Sequence, residues 1–292
     1  MNQAVLSSNS WDRNTRTPKV APPPNACDCA VHVYGPPGSC SLAPTRTYEP
    51  PEASFDDVRR MHAMIGIDRG VLVQPTTYGT DHRVLLDALE HGKGRYLGTA
   101  LVDDTVPDAE LERLAQAGVR GARINFLASL GLNWDRARFE RTVARIAELG
   151  WITIVHGTAD ELLEREVMLR KVRTPVVIDH LVHWDLARGY AGQKTFDFIR
   201  DLLGQGNFWI KLSNGDRISL QGYPYDDTVE LAQAFIAAAP DRAIWATDWP
   251  HILYRGEVPN DADLIELFFR FAPDADARQK ILVDNPATLF GF

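Results

Sequence analysis

The chain has 292 residues, 45% of them hydrophobic, and carries 31 Lys and Arg against 39 Asp and Glu, a formal net charge of −8 at pH 7. That excess of acid excludes the broad basic face that nucleic acid or an anionic membrane requires, because both are held by displacing counterions with clustered Lys and Arg. No apolar run reaches the roughly 20 residues of a membrane span, so the expectation is a soluble protein of one large domain or two small ones, with locally placed arginines for any anionic substrate.

Residues 1 to 24 are polar and run into "APPPN", where three consecutive prolines exclude helix and central strand. This segment reads as an extended arm, lying on the domain surface or on a neighbouring subunit of a homo-oligomer. Cys27, Cys29 and Cys40 follow it, odd in number and close together, after a start with no apolar signal segment. A reduced, cytoplasmic setting with structural thiols fits them, and Cys27-x-Cys29 has the wrong spacing for a zinc knuckle.

From residue 25 to 292, short β-rich runs alternate with helical patterns, and no shift in composition marks a linker. The runs are "ACDCAVHV", "RGVLVQP", "RYLGTALV", "VRGARINF", "WITIVHG", "PVVIDHL", "FWIKLS" and "RAIWATDWP". Stretches such as "GVLV" and "PVVI" are continuously apolar, as parallel strands covered on both faces must be. Between the runs, "FDDVRRMHAMIG", "DAELERLAQAG", "ARFERTVARIAELG" and "DTVELAQAFIAAA" place apolar residues three and four apart, and three of the four end in Gly. Eight strand–helix units predict a single (β/α)₈ TIM barrel; a doubly wound open sheet is the alternative, since strand count alone does not prove closure.

In such a barrel the chemistry sits at the C-terminal ends of the strands. His32 follows the first run, Gln74 ends the second, Arg123 lies in the fourth, His156 ends the fifth, His180 the sixth, Lys211 sits late in the seventh and Asp248 ends the eighth. Imidazole and carboxylate are zinc ligands, and a catalytic zinc keeps a position open for a water whose pKa it lowers to about 7. Without a metal, the same groups supply an aspartate general base and imidazoles that polarise a carbonyl. Arg123 and Lys211 read equally as ion-pair partners or substrate ligands. Arg217, in "SNGDRISL", presents a planar fork suited to a carboxylate or sulfonate. The loop "QPTTYGTDHR" offers Tyr78, Asp81 and His82 as a substrate loop or as a surface turn. His62, His91, His183 and His251 lack equivalent support.

The pattern Asp28-x-Ala30-x-His32, His156, "IDH" at 178 to 180 and "IWATDWPH" at 244 to 251 resembles the amidohydrolase superfamily, and more narrowly its 2-pyrone-4,6-dicarboxylate lactonase and 4-sulfomuconolactone hydrolase group. The resemblance runs from "APPPNACDC" to "LVDNPATLF". It implies a barrel that hydrolyses lactones, with Asp248 activating water, His32 and His180 serving the site, and Arg123 and Arg217 holding acid groups. Tyr78, Gln74 and Lys211 complete the expected substrate contacts. His156 stands at a position that is a metal ligand in metal-dependent members, which implies zinc on His32, His156, His180 and Asp248; the metal-free lactonases imply no cofactor at all.

Two departures shape the expectation. Ala128 and Ser129 replace basic residues that bind a carboxylate in the pyrone enzymes, which points to a different acidic lactone, 4-sulfomuconolactone for example, from aromatic catabolism. Ala30 stands where the group usually has a histidine. Either alanine is natural there, or it is an engineered His→Ala change that disables turnover; the second is preferred, because every other expected ligand is present. A lactone isomerase or decarboxylase on the same barrel, and an inactive lactone-binding protein, are the competing readings.

Overall fold

In the computed structural model, which describes residue 6 and residues 11–128 and 134–292, eight parallel strands pair strictly in chain order. They are β1 Cys27–Val31, β2 Arg69–Val73, β3 Tyr96–Ala100, β4 Val119–Asn125, β5 Ile152–His156, β6 Val176–Ile178, β7 Phe208–Leu212 and β8 Ala243–Trp245. Each of the eight predicted runs contains one of them. The ring is closed, not doubly wound: the Asp248 amide donates to Ala30 O at 3.1 Å, the His32 amide donates to Trp249 O at 2.8 Å, and Val31 bridges Trp249 in parallel.

Alternation along the strands sorts side chains into two shells. One face packs against the surrounding helices; Phe55–Ile65, for instance, buries Val58, Met61 and Ile65 and starts at a Ser54 capping box with Asp57. The other face lines the lumen. Its lower part is a separate apolar cluster that includes Cys27, Cys29, Ile152, Ile154, Val177 and Trp209, plugged by Phe290 of the last helix. Two residues further up the same strands the lining turns polar, through Arg123, His156, Asp179 and Lys211. On β1 the pairing register shifts between Asp28 and Val31, which turns Ala30 and His32 toward the lumen.

Asp28 points the other way and ties the seam. It accepts from the amides of Ala30 and Thr247 and from the Thr247 hydroxyl, and faces His62 Nε2 at 3.3 Å. The described part of the arm packs on its own barrel: Trp11 lies 5.1 Å from the Trp249 ring, and Arg16 and Lys19 pair with Asp263 and Glu266. Among the described residues, no helix is long and apolar enough to cross a membrane.

Candidate active site

The expected carboxylate lies at the closing seam. Asp248 follows β8 with a left-handed φ of 62°, a conformation costly for a non-glycine residue, and the backbone bond to Ala30 holds it there. Its Oδ1 lies 3.3 Å from His32 Nε2 and 3.6 Å from His180 Nε2; its Oδ2 lies 3.7 Å from Arg217 Nη2. Burial alone would push the carboxyl up, but His180, the His32 hydrogen bond and Arg217 outweigh it and hold it well below the usual carboxylate range. His32 is oriented from behind by Val73 O, 2.9 Å from its Nδ1.

His180 belongs to a turn, residues 180 to 183, in which all four φ values are positive, between 44° and 61°. The strained turn brings both of its histidines into the site. His180 Nε2 accepts from Arg123 Nη2 at 2.9 Å, and Nδ1 meets Ser213 Oγ at 2.8 Å. Burial, with Arg123 alongside, pushes His180 down to about 3. His183, not among the expected site residues, puts its Nε2 2.7 Å from His156 Nε2, and His156 Nδ1 meets Asn125 Oδ1 at 2.8 Å. Burial also pushes His183 down to about 4 and His156 well below its ordinary value, so all three rings are neutral at pH 7. The signal for His183 was its place three residues after His180 in "IDHLVH".

Beneath them lies a matched ionic layer. Asp179 accepts from Lys211 Nζ at 2.6 Å and from Arg123 Nε at 2.9 Å. Burial raises its carboxyl, yet the two cations and His180 bring it well below the usual range. Lys211 is 1% exposed and its charge is paired with Asp179. Gln74 Nε2 donates to the carbonyls of Gly79 and Asp81, which ties the loop after β2 from inside. His82 likewise turns to Glu110 and Leu101 O, and Asp81 to Arg83. Tyr78 accepts from the Gly35 amide and lines a cavity of about 380 Å³ whose floor includes Arg123 and Asn125. Ala30 packs with Val73 and Ala246 as a small apolar wall. Ala128 donates its amide to Glu161, while Ser129 lies outside the described residues.

The metal set expected from sequence, His32, His156, His180 and Asp248, is not assembled as a cage. Among the described residues, no three His, Cys, Asp or Glu side chains are arranged to hold a metal ion. The physical reason is that two of the four are turned to groups outside the set: His156 Nε2 faces His183 and His180 Nε2 receives Arg123. The guanidinium groups of Arg123 and Arg217 supply the positive charge around the carboxylate instead. As arranged, these residues do not fit a divalent ion.

A closed parallel barrel with a carboxylate, imidazoles and arginines at the C-terminal ends of its strands is the framework of a hydrolytic barrel enzyme. The chain belongs to the amidohydrolase family, whose model matches residues 27–292. It is 40% identical over 272 residues to the 4-sulfomuconolactone hydrolase of Rhizobium radiobacter, covering 92% of this chain and 91% of the relative. It is 31% identical over 283 residues to the D-galactarolactone isomerase of Agrobacterium fabrum, covering 94% and 93%. The crystal structure of a probable 2-pyrone-4,6-dicarboxylic acid hydrolase from Acinetobacter baumannii superposes with a TM-score of 0.80 at 27% identity, covering 92% of this chain and all of that one.

Proposed function

We propose that this chain is a lactonase that opens an acidic lactone, muconolactone-like or pyrone-type with 4-sulfomuconolactone foremost, in the breakdown of aromatic compounds. The observation that carries the reading is Asp248, an ionised carboxylate between His32, His180 and Arg217, with His180 in turn bonded to Arg123, a lining residue of a cavity of about 380 Å³. Asp248 takes a proton from water as that water's oxygen bonds to the ring carbonyl carbon. The carbonyl oxygen becomes an oxyanion, stabilised by the positive charge of Arg217. The ring C–O bond then breaks, and Asp248 returns the proton to the departing oxygen, leaving a ring-opened acid and an unchanged enzyme.

Arg217 donates Nη2 to Ile252 O at 3.1 Å and lies against the Tyr254 ring, while its buried Nε has no partner among the described residues. The guanidinium groups of Arg217 and Arg123, near Asp248 and His180, orient the substrate's acid group. His156 and His183 act as a neutral pair that fixes the wall beside His180. No zinc enters these steps, because the polar atoms are already matched to one another. The three free thiols fit a cytoplasmic enzyme.

The test is acid release from 4-sulfomuconolactone and a panel of acidic lactones. Asp248→Asn is expected to lower kcat/KM by about 10³-fold, the span of a general base, with the circular dichroism of the fold retained; a rate within tenfold of the parent would refute its role. The rate is expected to survive a strong chelator, and its loss on chelation would restore the zinc reading. Ala30→His in the same assay decides the status of position 30: a large gain in rate marks alanine as a disabling replacement, whereas a loss marks the apolar wall as native. An isomerase, the second reading raised by the Agrobacterium relative, would consume lactone without releasing titratable acid.

A further inference from the structure

We infer that His251 is a positioning residue of the active site: tied to Asp261, it anchors the loop that holds Arg217 against Asp248. The inference rests on the lactonase reading for its kinetic consequence and on geometry for the rest. Arg217 belongs to a short helix after β7, Gly215–Ile218, yet its guanidinium is held from outside that helix. Nη2 donates to Ile252 O at 3.1 Å, the Tyr254 ring centroid lies 5.1 Å from Cζ, and Nε has no partner among the described residues. Ile252 and Tyr254 follow Asp248 by four and six positions, and Arg217 Nη2 lies 3.7 Å from Asp248 Oδ2. One loop thus carries the base at its start and the hold on the arginine further along.

That loop has a backbone that needs fixing from outside. Asp248, His251 and Leu253 have left-handed φ values of 62°, 62° and 55°, costly for residues with a side chain. Within the loop the His251 amide donates to Asp248 O and the Tyr254 amide to His251 O, each at 3.1 Å, so His251 takes part in both turns. Its side chain reaches out of the loop: Nε2 donates to Asp261 Oδ1 at 3.0 Å, the two side chains being 1% and 0% exposed. Asp261 opens the helix Asp261–Phe271, which buries Leu264, Ile265 and Phe268 in the core, so the partner is firmly placed. Burial lowers the imidazole's pKa, but Asp261, with Asp216 adding to it, outweighs burial and raises it, which favours the imidazolium that a buried carboxylate requires. A charge-assisted hydrogen bond between buried groups is strong and directional. Ile252 is the next residue, so its carbonyl follows the anchor, and the guanidinium follows the carbonyl.

The experiment uses His251→Asn, which suits the left-handed backbone but is too short to reach Asp261, and His251→Gln, whose longer side chain restores an N–H donor toward it. On a lactone that the parent opens, His251→Asn is expected to lower kcat/KM about 10²-fold, the scale of a misplaced catalytic group, and His251→Gln to keep most of the rate. In an Arg217→Met background His251→Asn is expected to cost nothing further, because both changes remove the same contact. A full additional loss there, or an unaltered rate in the single variant, would overturn the anchor. Should the unpaired Asp261 unfold His251→Asn, the double variant His251→Asn with Asp261→Asn removes the buried charge together with its partner and faces the same tests. Crystal structures keep this inference apart from the lactonase reading. The parent is expected to hold Arg217 on Ile252 O beside Asp248, and the Asn variant to turn the guanidinium away from both. An Arg217 still in place in the variant sinks the anchor whatever the enzyme cleaves. A displaced Arg217 in a protein that opens no lactone leaves the anchor standing while the lactonase reading falls.

Discussion

The lower and upper halves of the lumen are lined by the same strands, yet within two residues Ile154 gives way to His156, Val177 to Asp179 and Trp209 to Lys211, and within four Ile244 gives way to Asp248. The lower half is held by apolar burial, which is indifferent to pH and to the exact partner. The upper half is held by matched charges and by neutral imidazoles, each of which depends on its neighbour and on proton concentration. Stability and chemistry are thus stacked along one axis, and a substitution one step up a strand changes which of them is disturbed.

The largest stability effect expected from this contrast is at Lys211. Lys211→Met removes one partner of a buried pair and leaves Asp179 with Arg123 alone, at a cost of about 3–5 kcal/mol, read as a lowered urea midpoint; a loss under about 1 kcal/mol would show that the layer does not support the barrel. Next comes the response to acid. His156, His180 and His183 are neutral in the fold and titrate near 6.5 once unfolded, so the unfolded chain binds the extra protons. Their contribution is complete above pH 6.5 and is lost as pH falls toward the folded values, by at most about 1.4 kcal/mol per pH unit for each ring. Urea titrations of His183→Gln at pH 7 and pH 5 are expected to show roughly a third of that slope removed. The smallest effect belongs to the lower half: Ile154→Val is expected to cost about 0.5–1.5 kcal/mol, equally at both pH values, and a pH-dependent loss would blur the division between the halves.

The fold was legible because the strands announce themselves: "GVLV", "WITIV" and "PVVI" are too apolar for an exposed sheet and too short for buried helices. The seam residues His32, His180, Asp248 and Arg217 were legible from their places at or after strand ends. Gln74 and Lys211 occupy equally good places, and a strand end specifies only which side chains reach the mouth. It does not say which will be spent on a loop carbonyl or on Asp179. His183 was passed over for the converse reason: its approach depends on four consecutive left-handed residues, a conformation that Leu181 and Val182 do not advertise.

The closing seam also governs when a chain can work at all. His32 and Asp248 stand 216 positions apart and meet through the first and last strands, joined by the Ala30–Asp248 and His32–Trp249 backbone bonds. During synthesis the ribosome releases His32 long before Asp248 exists, so the two cannot meet in a nascent chain that lacks the eighth strand. The pair is thus assembled only when the first and last strands of the barrel have met.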